Sequence, residues 1–375
     1  MKYFLVAGEA SGDLHASNLM RELQKLDAAA EFRFFGGDKM ASVGGQLVRH
    51  YRDMAFMGVV AVVMHARTIL KNMALCKQEI SSWKPDVLIL VDYASFNLKI
   101  AEFVKTNLPS LPVHFYISPK IWAWKEFRIK AFKKYIDRMY VILPFEPAFF
   151  DKHHFAVSYV GNPCVDSVSA FRANHPMDEP LFRARYGLDE RPVLAVLPGS
   201  RKGEIKGNLP LMLNVASEYP GFQVVVAGSP GLDELFYKPL MPPGTRLLFG
   251  ETYALLEIAY AALVTSGTAT LETGLFATPQ VVCYAFKGGY LANWVFRHFM
   301  HVPFISLVNL IAGRAVVPEL MGGLFTKIHL KTALEPLLAE TAERTAMLDG
   351  YRDVQQLLGA PGAAERTAKL IYSSL

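Results

Sequence analysis

The sequence predicts an α/β protein of two doubly wound, Rossmann-like halves. Three observations carry this. Short apolar runs of strand length alternate with longer stretches of helical period, the signature of parallel strand–helix–strand folding. The cycle restarts near Pro192, after a polar segment that carries Pro163, Pro176 and Pro180. The residues just after several of the apolar runs are glycine, serine, threonine or acidic, as expected where open parallel sheets bind ligands.

In the first half the expected strands are 3–7, 87–91, 113–117 and 139–143, with helices over 14–26, 67–83, 98–107 and 127–135. In the second half the strands are 193–197, 222–227, 262–265 and 280–284, and a helix fills 269–276. The boundary falls near residue 165, so 1–165 and 166–340 are the two domains. The remainder, 341–375, is a helix-rich tail.

A chain of 375 residues is too long for one ordinary core and suits two domains. Hydrophobic residues make up 52%, yet no stretch supplies about 20 uninterrupted apolar residues, so no membrane span is expected. The apolar start, 4–7, is too short for a signal peptide and runs directly into Gly8-Glu9-Ala10-Ser11-Gly12-Asp13. Three widely spaced cysteines suit a reducing compartment and form no metal pairing. A net charge of +5 is too mild for a nucleic-acid partner, and no nucleic-acid motif accompanies it. It is compatible with an anionic membrane surface or a phosphorylated substrate.

Several chemistries lack their motifs. There is no G-x-G-x-x-G for a dinucleotide, no P-loop and no G-x-S-x-G nucleophile elbow. No Asp-x-Asp occurs either, so a departing diphosphate would be met by protein donors and cations.

What remains lies at strand ends. Ser266-Gly267-Thr268 closes the 262–265 strand and opens a helix, whose free N–H groups attract phosphate. Glu272, four residues on, shares a helix face with Thr268 and can accept ribose hydroxyls; the other reading is an ordinary capped turn with a surface glutamate. Gly199-Ser200-Arg201 follows the 193–197 strand, with a glycine for close approach and a guanidinium for phosphate. Alternatively Arg201 pairs with Glu204. Glu9, Ser11 and Asp13 follow the first strand, where Ser11 or Asp13 can cap the helix but Glu9 has no such reason to be there. Asp92 ends the 87–91 strand and is either a turn cap or a general base whose pKa burial would raise. Two stretches suit a lipid surface as well as a core: the aromatic and cationic 122–135, and the apolar 56–64 with Met57, Val59, Val60 and Val63.

GEASGDLH at 8–15, MGVV at 57–60, ISPKIWAW at 117–124, LPFE at 143–146, LPGSR at 197–201, SGTATLE at 266–272 and SLVNLIAGR at 306–314 occur in one order. As a set, over about 3–340, they resemble the lipid-A-disaccharide synthase family. The resemblance implies a GT-B glycosyltransferase with its two domains facing across a cleft. It implies inverting transfer of 2,3-diacylglucosamine from UDP-2,3-diacylglucosamine to the 6-hydroxyl of 2,3-diacylglucosamine 1-phosphate. The work would be done on the cytoplasmic face of the inner membrane, with no metal and no cofactor. The tail would pack back on the first domain or be exchanged in a homodimer. Asp92 would be catalytic, with Glu9 and Asp13 of the signature loop beside it, and Ser11 of that loop would bind substrate. Gly199, Ser200, Arg201, Ser266, Gly267, Thr268, Glu272, Asn309 and Arg314 would bind UDP. Ala94 and Ser95 stand where the family has Pro and Asp, which leaves Asp92 the one acid of its segment. Asn162 replaces the histidine of Gly-His-Pro and cannot exchange protons.

Overall fold

The computed structural model describes residues 1–54, 66–124, 126–285 and 303–375. They form two compact units, Met1–Pro163 with Ala360–Leu375, and Cys164–Gly359. Each unit is a parallel sheet with helices against it.

The first sheet has seven strands: β1 (Lys2–Ala7), β2 (Glu31–Gly36), β3 (Gln46–His50), β4 (Val87–Val91), β5 (Val113–Tyr116), β6 (Arg138–Val141) and β7 (Ser158–Tyr159). Their spatial order is β3-β2-β1-β4-β5-β6-β7. Strand β4 reads VLILV and is buried throughout, because both of its faces are covered. Alternation along β1 divides the core. Phe4 and Val6 join Cys76 and Ile80 of helix Ala66–Trp83 and Ile100 and Val104 of helix Ala94–Asn107. Tyr3, Leu5 and Ala7 join Leu19 and Leu23 of helix Ala10–Leu26, and Ala368 and Ile371 of helix Ala363–Tyr372.

The second sheet has six strands: β8 (Val193–Leu197), β9 (Gln223–Gly228), β10 (Arg246–Phe249), β11 (Ala259–Thr265), β12 (Gln280–Tyr284) and β13 (Glu319–Met321). Their order is β10-β9-β8-β11-β12-β13. In both sheets the direction of winding reverses once, between β1 and β4 and between β8 and β11. Such switch points open a crevice at the carboxyl ends of the two strands.

The 341–375 tail is not one body. Helix Ala342–Leu358 stays with the second unit, where Gln280 Nε2 donates to the Tyr351 hydroxyl at 3.2 Å and that hydroxyl donates to the Thr278 carbonyl at 3.2 Å. Gly359 and Gly362, at φ +75° and +111°, break the helical run. Helix Ala363–Tyr372 then joins the first unit, and Arg366 Nε donates to the Val160 carbonyl at 2.8 Å. No described helix is long and apolar enough to cross a membrane. The apolar segment 56–64, with Met57, Val59, Val60 and Val63, lies outside the described residues. The aromatics of 122–135 separate by burial: Trp122 and Phe132 are in the core, whereas Phe127 is 71% exposed.

Candidate functional site

At the switch point of the first sheet, Ala7 of β1 pairs with Val91 of β4, so the Gly8-Glu9 and Asp92-Tyr93 turns leave the sheet side by side. Asp92 and Tyr93 both adopt left-handed backbone, at φ +48° and +47°. For non-glycine residues this costs about 1–3 kcal/mol each and persists only where neighbours enforce it. The enforcing contacts are present. Asn97, fully buried, donates from Nδ2 to the Asp92 carbonyl at 2.7 Å and the Val91 carbonyl at 3.3 Å. The Asp92 amide donates to the Tyr116 carbonyl at 3.0 Å, and the Tyr93 hydroxyl donates to the Met54 carbonyl at 2.8 Å. The Tyr93 ring lies over Gly8, where an added Cβ would stand 2.2 Å from Tyr93 Cδ1. Glycine at 8 is therefore a packing requirement.

This turn presents the Asp92 carboxyl at the sheet edge. Burial raises its pKa, while the Tyr93 amide and Lys120 pull the other way. A carboxylate so placed is a stronger base than one in water. Glu9 stands at the same edge as the N-cap of helix Ala10–Leu26, near enough to Tyr93 to help burial raise the phenol's pKa. Ser11 is exposed in that helix's first turn. Asp13 has a structural partner set. Its carboxylate is buried and accepts from the amides of Gly37, Met40 and Lys39 at 2.8, 3.1 and 3.1 Å. It thereby caps helix Asp38–Val43 from a distance.

The second switch point holds a cleft of about 300 Å³, lined by Gly199, Ser200, Ser266, Gly267, Thr268 and Glu272 among others. The sequence assigned these six to a nucleotide diphosphate, and β8 and β11 bring them together as neighbours. Gly199 has φ +109°, and a Cβ there would meet Glu204 Oε2 at 2.9 Å. Helix Thr268–Leu275 points its amino end into the cleft. Arg201 takes up the alternative pairing: Nη1 donates to Glu204 Oε1 at 2.9 Å. At 63% exposure that ion pair is worth about 0–1 kcal/mol, which leaves the guanidinium available to an arriving phosphate. Glu272 loses solvent, which raises its pKa, and Tyr253 donates to its Oε1 at 2.6 Å, which lowers it.

Arg201, Asn309 and Arg314, also assigned to UDP, are not in the lining of this cleft. Asn309 is buried, and Oδ1 accepts from the Val316 and Val317 amides at 2.7 and 2.9 Å. Its Nδ2 donates to the Val317 carbonyl and to Glu319 Oε1 at 2.9 and 2.8 Å. Glu319 in turn accepts from the Ile305 and Ser306 amides, each at 2.9 Å, and the Ile305 carbonyl accepts from the Ser266 hydroxyl at 3.1 Å. Asn309 thus supports the loop against which Ser266 leans. Arg314 lines a separate hollow of about 370 Å³ and pairs with Asp353 at 2.6 Å.

Some participants escaped the sequence reading. Gly228 ends β9, Ser229 and Pro230 follow it, and all three line the cleft, as the strand-end rule would have indicated. Tyr253, from another helix, had no local signal. Glu146 of LPFE is buried, accepts from Trp122 Nε1 at 3.2 Å and from the Leu143 and Ile142 amides at 2.9 and 3.1 Å, and has a pKa pushed up to about 7 by burial. It ties the 118–124 segment to the end of β6.

A family model described as lipid-A-disaccharide synthetase matches residues 3–370. Curated lipid-A-disaccharide synthases from Syntrophus aciditrophicus (strain SB) and Myxococcus xanthus (strain DK1622) are 39% and 38% identical to this chain. The first match spans 97% of this chain and 95% of the relative, the second 100% and 97%. Among solved structures, the UDP-GlcNAc 2-epimerase from Neisseria meningitidis bound to UDP-GlcNAc superposes with TM-score 0.70 at 12% identity over all of both chains. The glycosyltransferase SnogD from Streptomyces nogalater gives 0.57 at 18%, covering 100% of this chain and 99% of its own. At such identities these structures speak for a shared GT-B fold alone.

Proposed function

Because the chain belongs to the lipid-A-disaccharide synthetase family and is a UDP-sugar-dependent glycosyltransferase, we propose that it moves 2,3-diacylglucosamine from its UDP derivative to the 6-hydroxyl of 2,3-diacylglucosamine 1-phosphate, with inversion, giving the β-1,6 disaccharide 1-phosphate and UDP. Asp92 takes the proton of the attacking hydroxyl. The observation that carries this is the enforced left-handed turn, which holds a desolvated carboxyl at a switch point. The amino end of helix Thr268–Leu275 and Arg201 meet the charge that grows on UDP, and Glu272 accepts from the ribose. No metal or other cofactor is assigned a part. Acyl chains enter from the cytoplasmic face of the inner membrane, and segment 56–64 is their proposed contact. Exchange of the C-terminal helix between two copies would give a homodimer.

The test is incubation with both diacylated substrates and mass analysis of the product. Asp92→Asn should lose about 10²–10⁴-fold in turnover while still binding UDP. A near-normal rate in that variant would transfer the base role to Glu9.

A further inference from the structure

Three residues beyond Asp92, Ser95 begins the wall of a second hollow in the first unit, of about 520 Å³. It runs between helices Ala94–Asn107 and Ile129–Tyr135 and is lined by Lys99, Glu102, Arg128, Lys130 and Lys134. Its charge is unbalanced. Glu102, the one acid in the lining, already accepts from Lys99 Nζ at 2.8 Å and from the Tyr135 hydroxyl at 3.2 Å. Arg128 is half-buried, and its Nη2 donates to the Ser95 hydroxyl at 2.9 Å. Among the described residues no carboxylate lies within ion-pair distance of Arg128, Lys130 or Lys134. Three cations around one concavity, one of them partly desolvated beside a hydroxyl donor, make a receptor for a doubly charged anion.

We infer that this hollow holds the phosphomonoester of the acceptor sugar, with Arg128 and Ser95 as its inner contacts and Lys134 and Lys130 at its rim. The inference rests on the proposed reaction, whose acceptor carries its phosphate at one side of a single pyranose ring and its reacting hydroxyl at the other. A phosphate seated beside Ser95 keeps that hydroxyl within one sugar's reach of Asp92. The donor diphosphate has its own donors in Gly199, Arg201 and the helix at Thr268. The acceptor phosphate is therefore the one anion of the reaction still without residues, and a phosphate monoester near pH 7 carries about −1.5 to −2, which three cations offset.

The experiment compares the 1-phosphorylated acceptor with its 1-dephospho analogue in neutral detergent, donor saturating, for wild type, Arg128→Ala/Lys134→Ala and Arg128→Lys. The double variant should lose about 10–100-fold in kcat/KM on the phosphorylated acceptor and change little on the analogue, with donor KM unmoved. Arg128→Lys should recover part of the loss. An equal loss on both acceptors, or a loss within twofold, overturns the assignment. A defect that appears only when phosphatidylglycerol vesicles are added also overturns it, since the hollow would then read lipid headgroups. Binding of glucosamine 1-phosphate, followed by phosphorus NMR, keeps the result independent of turnover. Binding to wild type and not to the double variant sustains the hollow even if the proposed reaction fails, and equal binding to both sinks it.

Discussion

Replacing Tyr253 by Phe removes one hydroxyl and nothing else. The ring, packed at 5.5 Å from Phe171 and 5.2 Å from Phe276, keeps its place. What is lost is the 2.6 Å bond to Glu272 Oε1 and the hydroxyl's contact with Ser167. A hydrogen bond to a charged acceptor contributes about 1.5–3 kcal/mol, and losing it disfavours the acceptor's ionised form. Burial already raises the Glu272 pKa, and the Tyr253 bond is the one influence that lowers it. The ionised carboxylate is the form that best accepts ribose hydroxyls, so UDP binding should fall as pH drops through this raised pKa. Tyr253→Phe should move that fall to higher pH. Stability follows the same sign. A carboxyl with a raised folded pKa binds its proton more tightly when folded, so the variant should lose stability relative to wild type more at high pH than at low. Calorimetric titration with UDP between pH 5 and 9 reads the first effect, and denaturant unfolding at the same pH values reads the second. Superimposable binding profiles for the two proteins would refute the role given to Tyr253.

Arg201→Ala should raise donor KM about tenfold while unfolding stability stays within about 1 kcal/mol, since only an exposed ion pair is lost; steady-state kinetics and urea unfolding decide. Asn309→Ala should do the reverse. It leaves the Val316 and Val317 amides unsatisfied in a buried setting, at about 1–3 kcal/mol each, and should lower the unfolding midpoint far more than it weakens UDP binding. A selective loss of UDP affinity would return Asn309 to the cleft.

Strands buried on both faces were legible because nothing in them is polar: VLILV at 87–91 and VLAVL at 193–197 show at once. Strands β2, β3 and β10 were not, because Glu31 and Arg33, then Gln46, Arg49 and His50, then Arg246 interrupt their apolar runs. Those strands lie at or next to a sheet edge, where one face or one end meets water. The same logic divides the site. Residues just after strands could be found from position alone, as with Asp92, Gly199 and Ser266. Tyr253 and Glu146 could not, because their partners come from segments that only tertiary folding brings near. Asn309 and Asp13 are hard to assign from sequence for a related reason. A polar residue in a functional-looking motif can be satisfied entirely by backbone, and only the list of its hydrogen-bond partners reveals this.

The covering of β1 by helix Ala363–Tyr372 has a consequence for biosynthesis. The first unit is discontinuous in the chain, with roughly 200 residues of the second unit interposed. At about 5–20 residues per second on the ribosome, Leu19 and Leu23 emerge with their apolar faces bare and wait about 17–70 s for Ala368 and Ile371 to be translated. The later unit, contiguous from Cys164 to Gly359, can close first. Nascent chains stalled before Ala360 should accordingly bind chaperones through their earliest residues.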